Sequence, residues 1–268
     1  MFDCRVARNS LRRRPGSSLV VLLALAGAWI PHANADMTPA PAQPANEDVA
    51  ILEKADRARG NLEGVTWTVV IHSEERGRTR EITVAVRSRG YNFLGEMLSP
   101  PKSKGQELLM VSGTMWFHKP GLSKPVPISR RQRLMGQASY GDIAATNYAH
   151  EYAAETMEDD AVAGESCRVF DLRARNKKTT YDHIRYWISK SRGVGLRAEY
   201  FTVSGKLIKT ALMEYAPVRD DRGRKRLFIT KLVITDALID GDVTTLTFQT
   251  PSFRKLPDRI FNVALFGR

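Results

Sequence analysis

The hydrophobic period of this chain changes at Gly64. Between Asn46 and Gly60 apolar residues recur at helical spacing: Val49, Ile51, Leu52, Ala55 and Ala58. Asn46 can cap such a helix, Glu47 and Asp48 suit its first turn, and Gly60 suits its end. From Gly64 onward the period is two. Val65, Trp67, Val69 and Ile71 alternate with Thr66, Thr68 and His72, and Ile82, Val84 and Val86 alternate after a turn at Arg76-Gly77-Arg78. That pattern predicts a hairpin. One short amphipathic helix followed by strand patterning almost to the end can build a large antiparallel sheet. It cannot build a parallel α/β sheet, which needs a helix between successive strands.

Further strands are expected at Tyr91 to Leu98, Glu107 to Val111 and Thr114 to His118, the last two joined at Ser112-Gly113. Six more follow: Cys167 to Arg173, His183 to Ser189, Leu196 to Val203, Lys206 to Ala216, Leu227 to Asp236 and Asp242 to Thr250. Turns are expected at Ser204-Gly205, Asp220 to Gly223 and Asp240-Gly241. Two segments break the pattern. Pro120 to Ser139 carries Pro120, Pro125 and Pro127 and then Arg130, Arg131 and Arg133; it reads as a long loop with a short helix. Gly141 to Tyr152 reads as a helix. The fold class is therefore mainly β (α+β), with about eleven strands, enough to curl toward closure.

The first residues read as an export signal. Arg5, Arg8, Arg12, Arg13 and Arg14 precede an apolar stretch, Leu19 to Ile30, that is too short to span a bilayer comfortably. Ala33-Asn34-Ala35 then presents small residues at the cleavage positions, so residues 1–35 are expected to be removed between Ala35 and Asp36. Residues 36–45 form a Pro/Ala linker, and 46–268 form one domain. The full chain has 41 Lys+Arg against 29 Asp+Glu and a net charge of +12. Cleavage removes five Arg and one Asp and leaves the chain basic. It also leaves Cys167 as the sole cysteine, so no intramolecular disulfide can form. A basic exported chain suits an anionic partner such as a phospholipid surface, or simply carries a solvated basic surface.

Motifs of catalysis are missing. There is no G-x-S-x-G, no phosphate-binding P-loop, no G-x-G-x-x-G and no H-E-x-x-H. His72, His118, His150 and His183 are scattered singly, and Cys167 opens a strand as a small apolar residue would. Glu158-Asp159-Asp160 reads as a turn before a strand. The expectation is a protein that is not an enzyme, with no catalytic residues, no metal and no cofactor. Export and the lack of interleaved aromatic and basic residues argue against nucleic acid as a partner.

A large curled sheet can bury apolar side chains on its concave face. If helices roof that face without filling it, the space suits an acyl chain, because each buried methylene is worth about 0.8 kcal/mol. Alternation places Val65, Trp67, Val69, Ile71, Ile82, Val84, Val86, Met213, Leu232 and Phe248 on one face as candidate lining. A one-residue slip would turn any strand's set outward. Trp67, Trp116 and Trp187 are core candidates in either case.

Several segments together resemble a known family. They are Lys104-Gly105-Gln106, Met115-Trp116-Phe117 with Pro120, Gln132-Arg133-Leu134-Met135-Gly136, and Tyr140-Gly141-Asp142. Ser204-Gly205-Lys206-Leu207 with Lys209, and Leu256-Pro257 with Phe261, add to the pattern. Over 46–268 the chain resembles a divergent branch of the LolA-like, outer-membrane lipoprotein-sorting family. The resemblance implies an unclosed antiparallel β-barrel, LolA/LolB-like, with helices as a lid. It also implies a periplasmic carrier or chaperone for a lipid or lipoprotein acyl chain, moving it toward the outer membrane, in some branch members with a large inner-membrane transporter.

In the Gln132 to Asp142 stretch, Gly136 and Gly141 can take backbone angles closed to other residues, and Asp142 can cap the following helix. Arg130, Arg131 and Arg133 can meet phosphate headgroups or a partner's acidic face, or can pack over a barrel mouth. Two other functions remain open. One is a non-enzymatic accessory module of an inner-membrane transport complex, with a filled core. The other is a lipid-directed hydrolase, which would need a buried Ser–His pair.

Overall fold

The computed structural model describes residues 45–267. The expected leader, its cleavage site at Ala35 and Asp36, and the Pro/Ala segment as far as residue 44 lie outside the described residues.

Helix α1 (Ala45–Ala58) buries Leu52, Ala55 and Ala58 and half-buries Val49 and Ile51. Gly60, at φ +99°, ends it. A Cβ there would sit 2.9 Å from the Trp67 ring, so the same glycine allows both the turn and the close approach of a core indole.

Strands β1 (Val65–Glu75) and β2 (Arg78–Arg89) follow, joined by Arg76 and Gly77, both at positive φ. Two left-handed residues give a turn whose twist matches the flanking strands. The same solution recurs at Ser112-Gly113, between β4 (Glu107–Val111) and β5 (Thr114–His118). Strand β3 (Asn92–Ser99) lies between the two hairpins. Five short strands come next: β6 (Val126–Ile128), β7 (Arg133–Met135), β8 (Ala138–Ser139), β9 (Tyr152–Thr156) and β10 (Asp160–Val162). Helix α2 (Tyr148–Glu151) precedes β9. The long strands then resume: β11 (Glu165–Ala174), β12 (His183–Ser189), β13 (Gly195–Phe201), β14 (Leu207–Arg219), β15 (Lys225–Asp236) and β16 (Val243–Phe253).

The main sheet has 14 strands, all antiparallel to their neighbours. It is two meanders, β1 to β6 and β11 to β16, joined where the first strand pairs with the last. Val69 on β1 lies opposite Val84 on one side and Phe248 on the other. β6 forms one edge. β9 and β10 share the other, each pairing with part of β11. Neither edge pairs with the other, so the barrel is unclosed. Pro127 sits on the edge strand β6, where a missing N–H costs least.

The expected strands all form, but sixteen are present among the described residues rather than about eleven. The five additions are the short strands β6 to β10. Pro120 to Ser139 contains the edge strand β6 and the β7–β8 pair, and no helix. Gly141 to Tyr152 is not one helix: a 3-10 turn over Tyr140–Ile143, the four residues of α2 and the first residue of β9 share it. Two to five residues per strand carry too little alternation to be told from loop.

Three apolar clusters result. The largest fills the concave side. A second holds Cys167, Val169, Trp187 and Leu196 together with Ala58 from the end of α1. In the third, the C-terminal segment lays Leu256, Phe261 and Phe266 over Leu109. Trp67 is thus the tryptophan of the main core; Trp187 is buried in the second cluster, and Trp116 is half-buried against the third.

Candidate functional site

The concave face carries the apolar set expected from alternation. Val65, Trp67, Val69, Ile71, Val84, Val86, Met213, Leu232 and Phe248 are all buried in one cluster, and Ile82 is half-buried against it. Pairing explains the convergence: Val69 faces Val84 across β1 and β2, and Met213 faces Leu232 across β14 and β15. These side chains pack against one another and against α1. At Trp67 the packing is aromatic, edge-on to Phe228 at 5.7 Å.

The roof is more polar than the floor. Among the residues of α1 whose burial is described, only Leu52, Ala55 and Ala58 are fully buried apolar residues, and their burial is worth about 3 kcal/mol in total. Beside them Asp56 and Arg59 are buried too, at 3% and 5% exposure. The Asp56 carboxylate accepts the Ala149 N–H at 3.1 Å, Arg59 donates to the Tyr148 hydroxyl at 3.4 Å, and Asn61 donates to the Thr146 carbonyl at 3.0 Å. Burial pushes the Asp56 carboxyl above its usual range. The lid is therefore held to α2 and the loop before it largely by hydrogen bonds.

Under the lid lies a cage of tyrosines. Tyr148 meets Tyr152 and Tyr186 edge-on at 5.3 and 5.4 Å, and Tyr181 stacks on Tyr200 at 4.0 Å. Burial raises the pKa of each of these five hydroxyls, so all stay protonated. Among the described residues, Tyr186 and Tyr200 find no hydrogen-bond partner for theirs. Lys209 donates to the Gln137 carbonyl at 2.6 Å and lies 5.5 Å from the Tyr181 ring centre; burial lowers its pKa. Sequence reasoning missed this cage. The available signal was Asp56 and Arg59 at helical spacing beside Leu52 and Ala55, a charged pair on an otherwise apolar stripe.

The three arginines of the loop part company. Arg130 is buried and grips Glu151 with two bonds, 2.6 and 3.1 Å, while Tyr91 donates to the same carboxylate. Arg131 is tied to Asp182 and to the Thr179 carbonyl, at 2.7 and 2.8 Å. Arg133 is largely exposed, with Glu75 at 3.4 Å. Gly136 takes φ +55°, as a left-handed position would require. Gly141 does not. A Cβ there would meet the Thr180 hydroxyl at 2.0 Å, so close approach is its reason. Asp142 caps no following helix. Its carboxylate reaches back to the Ser139 N–H at 2.8 Å and accepts the Tyr181 hydroxyl.

No serine hydroxyl hydrogen-bonds a histidine among the described residues. His183 pairs instead with Asp171 and stacks on Phe201. Cys167 is buried, and burial raises its thiol pKa. The described residues contain no group of three or more His, Cys, Asp or Glu placed to hold a metal, and no described helix is long and apolar enough to cross a membrane.

An unclosed antiparallel barrel roofed by one short helix is the LolA-superfamily architecture, and solved structures bear this out. The chain is similar to a LolA superfamily protein from Nitrosomonas europaea, with 29% identity and a TM-score of 0.72 over 80% of this chain and 96% of that one. It is also similar to a domain from Vibrio parahaemolyticus provisionally assigned to outer membrane lipoprotein sorting, with 17% identity and a TM-score of 0.70 over 84% and 100%. A DUF1329 family protein from Desulfovibrio piger matches with 17% identity and a TM-score of 0.68 over 82% and 98%. No curated protein sequence matches. A family model described as an uncharacterized protein matches residues 90–268, and the chain belongs to that family; its fold is LolA-like.

Proposed function

We propose that this protein is a periplasmic carrier that holds a lipid or a lipoprotein acyl chain between the concave face of its barrel and the lid helix, for transport toward the outer membrane. In this reading the leader is cleaved after Ala35, residues 46–268 are the lipid-binding domain, and the protein works without a cofactor and without catalysis. A transporter in the inner membrane is a candidate donor.

The observation that carries the reading is the lid. A buried apolar face of Val65, Trp67, Val69, Ile71, Val84 and Val86 shares one cluster with a lid helix whose fully buried apolar side chains there, among the described residues, are Leu52 and Ala55. Such a helix can be lifted at modest cost, and an acyl chain of about four methylenes would regain what its burial contributed. The resemblance to the Nitrosomonas europaea LolA superfamily protein supports the same reading.

One observation favours the accessory-module reading: the candidate lining already packs together beneath α1, with nine of its ten members buried. In the carrier reading the ligand displaces the lid rather than entering a waiting void.

Native mass spectrometry of protein purified from the periplasm, with extraction of what is released, tests both readings. A co-purifying lipid or acylated peptide is expected, on a chain beginning at Asp36. A clean unliganded mass, with no uptake from added phospholipid or lipoprotein, would move the assignment to the accessory module.

A further inference from the structure

The lid-side mouth of the barrel is a cleft of about 1020 Å³. Its walls come from four places far apart in sequence: the last turn of α1, the β2 end at Arg89, the β14–β15 turn and the end of β16. Seven arginines and lysines line it against three acidic residues. A second, smaller cleft of about 210 Å³ shares Arg57, Leu62 and Arg226 with it and adds Lys54 and Arg192.

Two features make this more than a basic surface. First, the β14–β15 turn is organised around one buried carboxylate. Asp220 Oδ1 accepts the N–H groups of Arg222 and Arg224 at 3.0 and 2.9 Å. Its Oδ2 accepts the Nε of Arg224 and of Arg226, at 2.8 and 2.9 Å. Both guanidiniums are thus fixed by their Nε edges, and among the described residues their Nη groups make no other hydrogen bond. One carboxylate offsets one of the two charges. Nearby, Arg222, Arg254 and Lys255 are exposed and form no ion pair among the described residues. Fixed, undercompensated guanidinium forks match a phosphate's geometry.

Second, the cleft is apolar at its base. Leu62 and Phe253 line it. Phe253 meets Phe228 edge-on at 5.9 Å, and Phe228 meets Trp67 at 5.7 Å. The cleft therefore opens directly onto the aromatic end of the barrel core, with cations at the rim and rings at the base. That is the order of groups in an anionic amphiphile.

We infer that this cleft is a binding site for a phosphate-bearing anion, seated by Arg224 and Arg226 with Arg222, Arg254 and Lys255 around it, and that the anion is the headgroup of a lipid whose tail lies toward Trp67. The tail's placement rests on the carrier reading; the anion site does not. Because the site is charged and open, its binding weakens as salt rises.

The test uses the mature chain and the variant Arg222→Ser/Arg254→Ser/Lys255→Ser. All three residues are exposed, so the barrel stays folded, as circular dichroism would check. Calorimetry with water-soluble dihexanoyl phosphatidylglycerol is expected to give an affinity about tenfold higher than with dihexanoyl phosphatidylcholine, whose ammonium the rim repels. That ratio corresponds to about 1.4 kcal/mol. The triple variant should lose that tenfold difference, chiefly through a fall in its affinity for phosphatidylglycerol. If the two lipids bind alike, or the variant keeps the preference, the headgroup site is wrong while the carrier reading stands. If neither lipid binds, the lipid-headgroup assignment fails, the carrier reading is left to the mass spectrometry with lipoprotein, and inorganic phosphate decides the anion site. Amide shifts confined to Arg222–Arg226 and absent in the variant would support a site for free phosphate; no shifts there would overturn the anion site altogether.

Discussion

The hydroxyl of Tyr181 donates to the carboxylate of Asp142 at 2.8 Å, with both side chains buried. Asp142 belongs to the Tyr140–Ile143 turn, and Tyr181 precedes β12. The same carboxylate accepts the N–H of Ser139, and the Tyr181 carbonyl accepts the Tyr152 hydroxyl at 3.0 Å. One acidic residue thereby ties the turn after β8 to the tyrosine cage beneath the lid.

Removing that acceptor leaves two buried donors unpaired. Asp142→Ala is expected to cost about 3 kcal/mol, since each such group costs about 1–3 kcal/mol. Asp142→Asn keeps a carbonyl oxygen and should cost less. Urea unfolding midpoints of the two variants check the order; equal losses would mean the acceptor is not what matters.

Arg130 behaves as a structural residue. Its guanidinium is bound twice by Glu151, and burial pushes the Glu151 carboxyl above its usual range against the pull of that arginine. Arg130→Met is expected to destabilise by about 3 kcal/mol, because the carboxylate is left without its counter-charge. Changing Arg130, Arg131 and Arg133 together to serine would therefore lower stability along with any membrane binding. Thermal melts of the single variants separate the effects: Arg133→Ser should melt like the parent.

Acid should weaken the β11–β12 pair in a definable window. Hydrogen bonds from Arg192 and Ser189 hold the Glu165 carboxyl down to about 2, from an ordinary 4.5. An acid whose folded pKa is depressed contributes stability that is complete above its unfolded pKa and lost as pH falls toward the folded one. Stability should therefore fall between about pH 4.5 and 2, and Glu165→Gln should flatten that part of the profile. Melting temperatures of both proteins across this range give the answer, and superimposable slopes would remove Glu165 as the cause.

Gly195 is required by its neighbour rather than by its own backbone angles. A Cβ there would lie 1.9 Å from the Tyr186 hydroxyl oxygen. Gly195→Ala is expected to cost about 1–3 kcal/mol through overpacking, and because the Cβ would also meet Tyr186 ring carbons at 2.1 and 2.4 Å, Gly195→Ala with Tyr186→Leu should recover part of it. A double variant no more stable than the single one would place the strain elsewhere.

Alternation was enough to place Val65, Trp67, Val69 and Ile71 on one buried face, because a strand's side chains alternate strictly and a run of four leaves one register. The X-Gly turns at Arg76-Gly77 and Ser112-Gly113 were legible for a similar local reason: left-handed pairs at hairpin ends select glycine. The short strands β6 to β10 were not, since two to five residues of mixed polarity resemble loop. Arg130 illustrates a different failure. Charge in a Pro-rich loop suggests solvent, and only the position of Glu151 and Tyr91 in space makes it a buried anchor.

By itself, then, the amino-acid order determined the period of each segment, the turns between long strands, and so a curled antiparallel sheet with one helix to cover it. Those are consequences of neighbours two to four residues apart. Tertiary structure alone decided that β1 pairs with β16, that Asp56, Arg59 and five tyrosines meet under the lid, and that cations from α1, β2, the β14–β15 turn and β16 converge on one cleft. Such meetings depend on how far the sheet curls before its edges stop pairing, a property of all fourteen strands together that no local pattern encodes.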